Sequence, residues 1–264
     1  MGGSLARGLK ALELTPHIAG FSLDPADGQL ALDSGSIDEL ALDPSAAAAG
    51  RDLVVYATPL GVTLELLREH SRVWGEAVVT DLVSLKSPIM DTMTELSEGS
   101  RYVGSHPMAG GAATGFAAST GGLFEDAPIW LVRGEGATRA AEGLEQLWCA
   151  LGASPLWVDP SEHDANMTWV SHLPQLVANS LAAALANAGY MPSDLGPGGK
   201  DMIRLAESSP EMWRDLLDAS APHLVEALNA TGGELGRVAA ALECRDLTAV
   251  VELMRRTKEW RGGP

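Results

Sequence analysis

The chain of 264 residues has only two cysteines, Cys149 and Cys244, far apart in apolar helical settings with no CxxC or histidine spacing beside them. Neither a disulfide framework nor a zinc site is suggested, and both are expected to be small core residues. No run approaches the roughly 18 uncharged apolar residues of a membrane span. The N-terminus also lacks the basic-then-apolar pattern of a secretory signal. A soluble, cytoplasmic protein without a membrane partner is expected. Positive charge is scarce as well: 18 Lys and Arg face 35 Asp and Glu, for a net charge of −17, and only four of the bases are lysine. With no basic stripe and no interleaving of bases and aromatics, nucleic acid is not an expected partner. The same deficit requires any anionic ligand to be drawn in by a few local cations, which singles out Lys86 and Arg204.

What the chain does have is apolar content, 46% of its residues. At this length that suffices for one large domain or two modest ones with a real core. Residues 1–12 open directly into a helix, with Leu5, Leu9 and Leu12 at i, i+4 and i+7 behind Gly2, Gly3 and Ser4. Residues 17–21 follow as a short strand. A glycine-started helix feeding a strand is the second half of a dinucleotide-binding βαβ unit, in which the helix N-terminus faces the pyrophosphate. The strand and G-x-G of the first half are missing, and a Gly-Gly-Ser opening also reads as a flexible tail. At the end of the second strand such folds place an acid for the ribose 2′-hydroxyl. Here Ser22 stands in that position and Asp24 follows as a turn residue. Serine tolerates a 2′-phosphate better than aspartate does, but no arginine follows to bind one. NAD and NADP both stay open as cofactor, with a lean to NADP.

Residues 53–57 read as a buried strand closed by Thr58 and Pro59, and residues 77–80 as another closed by Asp81. Helices follow each, through Val62, Leu66 and Leu67 and then after Ser84–Pro88. Further strands are expected at residues 102–105, 129–132 and 155–158, with a helix at 137–151. This alternation predicts an α/β fold, a Rossmann-like doubly wound parallel sheet lacking its first strand. Ligands of such sheets bind at strand carboxyl ends, where Thr58, Pro59, Ser84, Lys86 and His106 fall. Histidine, with an ordinary pKa of about 6.5, exchanges protons readily near neutrality. Pro107 removes an amide donor and disfavours helix at His106. A strand end and Pro/Gly turn holding an inert histidine fits the same residues. The small-residue stretch 110–122 reads as a loop with a short helix, a candidate lid.

From Asp159 the character becomes helical, which divides the chain into an α/β domain, 1–158, and an all-α domain, 159–264. A long helix is expected over 161–181 with a kink at Pro174. His163 and His172 are nine apart, not the four of a helical metal pair, so no metal is expected. Pro210 interrupts a helix that begins at Lys200. Met212, Leu216, Leu224, Leu228, Leu235, Val238, Leu242, Val251 and Met254 form wide apolar faces, taken as core or as the contact of a homodimer.

Several segments, in order, carry a family resemblance: Thr80-Asp-Leu-Val-Ser-Leu-Lys86, Gly104-Ser-His-Pro-Met-Ala-Gly110, Leu123-Phe124, Glu162-His-Asp164, Ser171-His-Leu-Pro174, Asp201-Met-Ile-Arg-Leu-Ala206 and Met212-Trp213. The chain resembles the prephenate and arogenate dehydrogenases of tyrosine biosynthesis over nearly its whole length. Its opening resembles that family's nucleotide loop cut off before its first two glycines. The resemblance implies a small-molecule substrate, a Rossmann-like domain followed by an all-helical dimerisation domain, and oxidative decarboxylation of a cyclohexadienol with NAD or NADP. It makes His106 the base for the ring C4 hydroxyl, Ser84 a second partner of that hydroxyl near the nicotinamide, and Arg204 the grip on a substrate carboxylate. It adds Ser171, His172, Gln175 and Lys86 to the substrate side, and Gly2, Gly3, Ser4, Ser22, Thr58 and Pro59 to the cofactor side. Gln175 replaces a histidine frequent in prephenate-preferring members, which resembles arogenate-using relatives. Ile203 and Ser220 replace the usual threonine and asparagine. A β-hydroxyacid or imine reductase and a non-catalytic family member are the competing readings.

Overall fold

The computed structural model of the protein describes residues 1–12, 16–111 and 113–263. It contains two compact units, Met1–Met167 with Glu207–Ala219, and Thr168–Ala206 with Ser220–Pro264.

In the first unit, helix α1 (Gly2–Ala11) precedes strand β1 (Ala19–Gly20). Asp24 accepts from the Ala26 amide to cap α2 (Pro25–Asp33), whose first position holds a proline, a residue suited to the first helical turn. Strand β2 (Glu39–Leu40) pairs parallel to β1. Asp43 repeats the Asp-Pro start at α3 (Pro44–Ala48), accepting from Ala46 N. Sequence periodicity missed α2, β2 and α3, although the two Asp-Pro pairs signal both helix starts. Strand β3 (Leu53–Tyr56), helix α4 (Leu60–His70) and strand β4 (Val78–Asp81) form a strand–helix–strand unit with β3 and β4 parallel. Helix α5 (Ser87–Glu95) leads to β5 (Val103–Pro107), joined to β4 by a parallel bridge between Val79 and Tyr102. Strand β6 (Pro128–Arg133), helix α6 (Thr138–Ala150) and strand β7 (Ser154–Trp157) complete the set. The fold is Rossmann-like as expected, but its strands fall into three hydrogen-bonded sets, β1–β2, β3–β4 and β5–β6–β7, and β6 runs antiparallel to β5.

Alternation along the strands covers both faces of the sheet. Val54, Tyr56, Val79 and Tyr102 pack with Leu67 of α4, Ile89 and Met93 of α5, and Leu216. Leu53, Val55, Val78 and Val103 face the other way, toward Leu5 of α1 and Leu144 and Trp148 of α6. Each large side chain so buried contributes roughly 1.5–3 kcal/mol. Cys149 and Cys244 are exposed, which corrects their expected place in the core. On α6 the buried positions are Ala140, Ala141, Leu144 and Trp148, and the next residue, Cys149, turns outward.

The expected lid is tied down where it is described, Ala112 lying outside the described residues. Phe116 packs with Ala6, Ala31 and Ile37. Arg7 lies 4.4 Å over its ring and donates to Ser119 Oγ, and Thr120 N donates to Ser4 Oγ at 3.1 Å. Residues 116–120 are fastened to α1.

Helix α7 (Pro160–Met167) ends the unbroken part of this unit. The second unit opens with a π-helical turn, Thr168–His172, followed by α8 (Leu173–Asn187). Instead of kinking one long helix, Pro174 sits in the first turn of a new one, where a missing N–H costs little. The wide π turn takes up the break. Helix α9 (Pro197–Ile203) leads to a 3₁₀ turn, Arg204–Glu207. Pro210 starts α10 (Pro210–Glu243), a 34-residue helix, and Asp246 caps α11 (Leu247–Arg261). Leu235, Leu242, Leu247, Val251 and Met254 are exposed on these last two helices. Among the described residues, no helix is long and apolar enough to cross a membrane.

Candidate active site

The site in the first unit is built from the carboxyl end of β4. Asp81, fully buried, accepts from Val83 N at 2.7 Å and turns the chain out of the strand. Its second oxygen accepts from the Tyr102 hydroxyl at 2.5 Å. The Lys86 ammonium, 0% exposed, bonds Asp81 Oδ1 and the Ser105 carbonyl, the latter at 2.8 Å. Burial pulls the Lys86 pKa down, opposed by the Asp81 charge. The Tyr102 hydroxyl is pushed well up by burial and then by Asp81. In the structure the Lys86 ammonium is turned to Asp81, whose charge it neutralises. Gly104 fits the same cluster, since a Cβ there stands 2.7 Å from the Tyr102 hydroxyl. Lys86 and Trp148 Nε1, which donates to Ser105 Oγ at 3.0 Å, fix the residue before the key histidine.

His106 lies in β5 opposite Trp130, inside the strand rather than after it, and is 8% exposed. Its Nδ1 is 2.9 Å from His163 Nε2. His163, 1% exposed on α7, places its own Nδ1 2.8 Å from Asp164 Oδ1. Asp164 also accepts from Lys86 N and Ser87 N, both at 2.8 Å, and so caps α5. Burial raises the Asp164 pKa, but the bonds from His163 and the two amides outweigh it and hold the carboxyl below its usual range. Ser84 is half-buried on the 82–86 loop, whose ends are held by Asp81 and Asp164. His163 and Asp164 were missed as site residues. Their signal was present in the Glu162-His-Asp164 segment.

On the cofactor side, a cavity of about 810 Å³ is lined by Gly2, Gly3, Ser22 and Thr58 together with β1 and β3, two strands that are not hydrogen-bonded to each other. Ser4 and Pro59 do not line it. The Ser4 hydroxyl is buried under Thr120, and Pro59 stands at the start of α4. A Cβ on Gly2 meets Ala57 at 2.9 Å, and one on Gly3 meets Phe116 at 2.7 Å, so only glycine allows this approach. The first turn of α1 holds no acid, leaving its amides and positive dipole end suited to a phosphate. The residues thus fit a dinucleotide. At the end of β1, Ser22 Oγ accepts from Asp24 N at 3.2 Å, while the Asp24 carboxylate is spent on capping α2.

The second unit holds the other expected substrate residues. Arg204 is exposed at the start of its 3₁₀ turn. Ser171 is half-buried and His172 buried on the π turn. Gln175 is 4% exposed, and its amide nitrogen donates to Leu205 O at 2.7 Å and Asn179 Oδ1 at 2.8 Å. Gln175 thereby braces the turn that carries Arg204.

Two family models match the chain. Residues 5–155 match the family model "Prephenate dehydrogenase, nucleotide-binding domain", and residues 159–256 match "Prephenate dehydrogenase, dimerization domain". A prephenate dehydrogenase of Bacillus subtilis (strain 168) is 30% identical over 275 aligned residues, covering 100% of this chain and 73% of its own length. The crystal structure of prephenate dehydrogenase from A. aeolicus, in complex with hydroxyphenyl propionate and NAD+, is similar with a TM-score of 0.89 and 27% identity, covering 99% of this chain and 93% of that one. A Synechocystis arogenate dehydrogenase structure gives 0.81 and 25%, covering 98% and 95%.

Proposed function

Because this chain belongs to the prephenate dehydrogenase family, we propose that His106 is the base that takes the C4 hydroxyl proton of prephenate. The enzyme catalyses NAD(P)-dependent oxidative decarboxylation in tyrosine biosynthesis. The bound nicotinamide supplies the acceptor for the hydride leaving ring C4. The chain's own residues handle the rest. His106 accepts the hydroxyl proton at Nε2 as the C4 carbonyl forms. Loss of carbon dioxide from C1 sends its bonding electrons through the ring to that oxygen, and His106 returns the proton to the resulting phenolate. Ser84 holds the same oxygen in line, a positioning effect. Arg204 offers a planar fork to a carboxylate. Ser171 and His172 complete the substrate set.

The observation that carries this reading is the chain of bonds from Asp164 through His163 to His106. With Asp164 accepting, His163 Nδ1 carries a hydrogen. Neutral His163 then accepts at Nε2, so His106 donates from Nδ1 and bears its lone pair on Nε2. A positioned base of this kind contributes about 10²–10⁴ in rate.

Prephenate is the substrate the reading takes first, supported by the B. subtilis relative. The sequence argument for arogenate rested on Gln175, whose amide nitrogen is committed within its own unit. Ser22 in place of an acid supports acceptance of NADP alongside NAD. Exposed apolar side chains on α10 and α11 support a homodimer. Initial rates with prephenate and arogenate against each cofactor test the reading. Reduced nicotinamide and carbon dioxide should form one to one with prephenate, and turnover of arogenate alone contradicts the substrate choice.

A further inference from the structure

We propose that His163 and Asp164 are positioning residues for the reaction, setting the tautomer of His106 and steadying its charged form. The inference rests on His106 being the base. Three observations carry it. The contacts are short and continuous, 2.9 Å from His106 Nδ1 to His163 Nε2 and 2.8 Å from His163 Nδ1 to Asp164 Oδ1. The middle member is 1% exposed, and its ring stands edge-on to both His106 and Trp130 at 72–76°. Asp164 is itself held by the Lys86 and Ser87 amides, so the carboxylate cannot follow a mobile side chain.

The consequence is directional. An imidazole has one donor and one acceptor when neutral, so a donor forced at one end of the relay fixes every nitrogen beyond it. Asp164 forces the hydrogen onto His163 Nδ1, and His106 is left with its acceptor at Nε2, the nitrogen assigned to the substrate. Without His163 nothing in this relay selects that tautomer. When His106 takes the proton, its Nδ1–H donates into a neutral imidazole backed by a carboxylate, which favours the imidazolium. The Lys86–Asp81 ion pair, which balances itself beneath Ser105, also packs here, with the neutral Tyr102 hydroxyl on Asp81. Asp164 is the charge that closes the relay. The same residue anchors the end of the 82–86 loop, so one carboxylate sets both His106 and the loop that carries Ser84.

The test combines a tautomer measurement with kinetics on the full chain. Nitrogen-15 spectra of the histidine rings, with His106 assigned from His106→Ala, should show neutral His106 hydrogenated at Nδ1 in the wild type. In His163→Ala that preference should be lost, and kcat should fall by about 10²-fold with KM changed by less than about threefold. The acid limb of the kcat profile should move to lower pH. Neutral His106 is the active form, and losing the relay lowers its proton affinity. His163→Gln keeps an acceptor for the Nδ1 hydrogen and should recover kcat to within about tenfold of wild type. It also keeps the test decisive if the alanine variant fails to fold. Hydrogen on Nε2 of neutral wild-type His106 overturns the proposal, as does a His163→Ala enzyme with an unmoved acid limb and unchanged tautomer, or a His163→Gln enzyme whose kcat stays more than about tenfold below wild type. A wild-type chain with the Nδ1 tautomer but no turnover contradicts the assigned reaction while leaving the relay standing.

Discussion

Replacing Lys86 by methionine keeps a long apolar stem but deletes the ammonium that neutralises Asp81. Both side chains are 0% exposed, so the Asp81 carboxylate is left in the interior with the Tyr102 hydroxyl and the Val83 amide. Breaking a buried pair from one side costs about 3–5 kcal/mol. A domain of this size loses roughly 2–4 °C per kcal/mol, so the unfolding midpoint should drop by about 6–20 °C. The sign with pH follows from the stranded acid. Protonation removes the uncompensated charge, so the penalty is small in acid and grows as pH rises. Thermal and urea unfolding at pH 5 and pH 7 read this directly, and Lys86→Met with Asp81→Asn should lose less than Lys86→Met alone. A loss under about 1 kcal/mol, the range of an exposed ion pair, together with a raised KM for prephenate, refutes the reasoning and restores the lysine to the substrate.

Three further outcomes are expected. Ser22→Asp should weaken NADP binding by about tenfold or more through like-charge repulsion, about 1.4 kcal/mol, with NAD little affected. Fluorescence titration checks it, and equal losses for both cofactors contradict the position assigned to Ser22. Arg204→Ala should raise KM for prephenate by about 10–100-fold with kcat held within a few-fold, the loss of a charge-assisted bond. Initial rates decide, and an unchanged KM removes Arg204 from the carboxylate. Val251→Glu, at a 52% exposed position on α11, should convert a sedimenting dimer to a monomer. A dimer that persists moves the interface elsewhere.

The alternation of strand and helix from residue 53 to residue 157 was legible because each strand there is a dense apolar run ending in a polar residue. The segment from 24 to 49 was not, since α2 and α3 are short, rich in alanine and defined by capping rather than by an apolar stripe. His106 stood out through its strand end and proline. Its partners did not, because the link from β5 to α7 spans 57 residues and exists only in three dimensions. Lys86 and Gln175 carry the same lesson in reverse. A lone lysine in an acidic chain looks like a ligand for an anion, yet the acid it answers to, Asp81, lies five residues away and fully buried. A glutamine at a familiar position looks like a specificity residue, yet its amide is taken by the backbone of Leu205.

The central claim is that His106 removes and returns the C4 hydroxyl proton. Its most direct test is kcat for prephenate oxidation in His106→Ala, measured beside the unfolding midpoint of the same variant. The expected result is a fall of about 10²–10⁴ in kcat with the midpoint within a few degrees of wild type. A correctly folded variant that keeps kcat within about twofold contradicts the assignment.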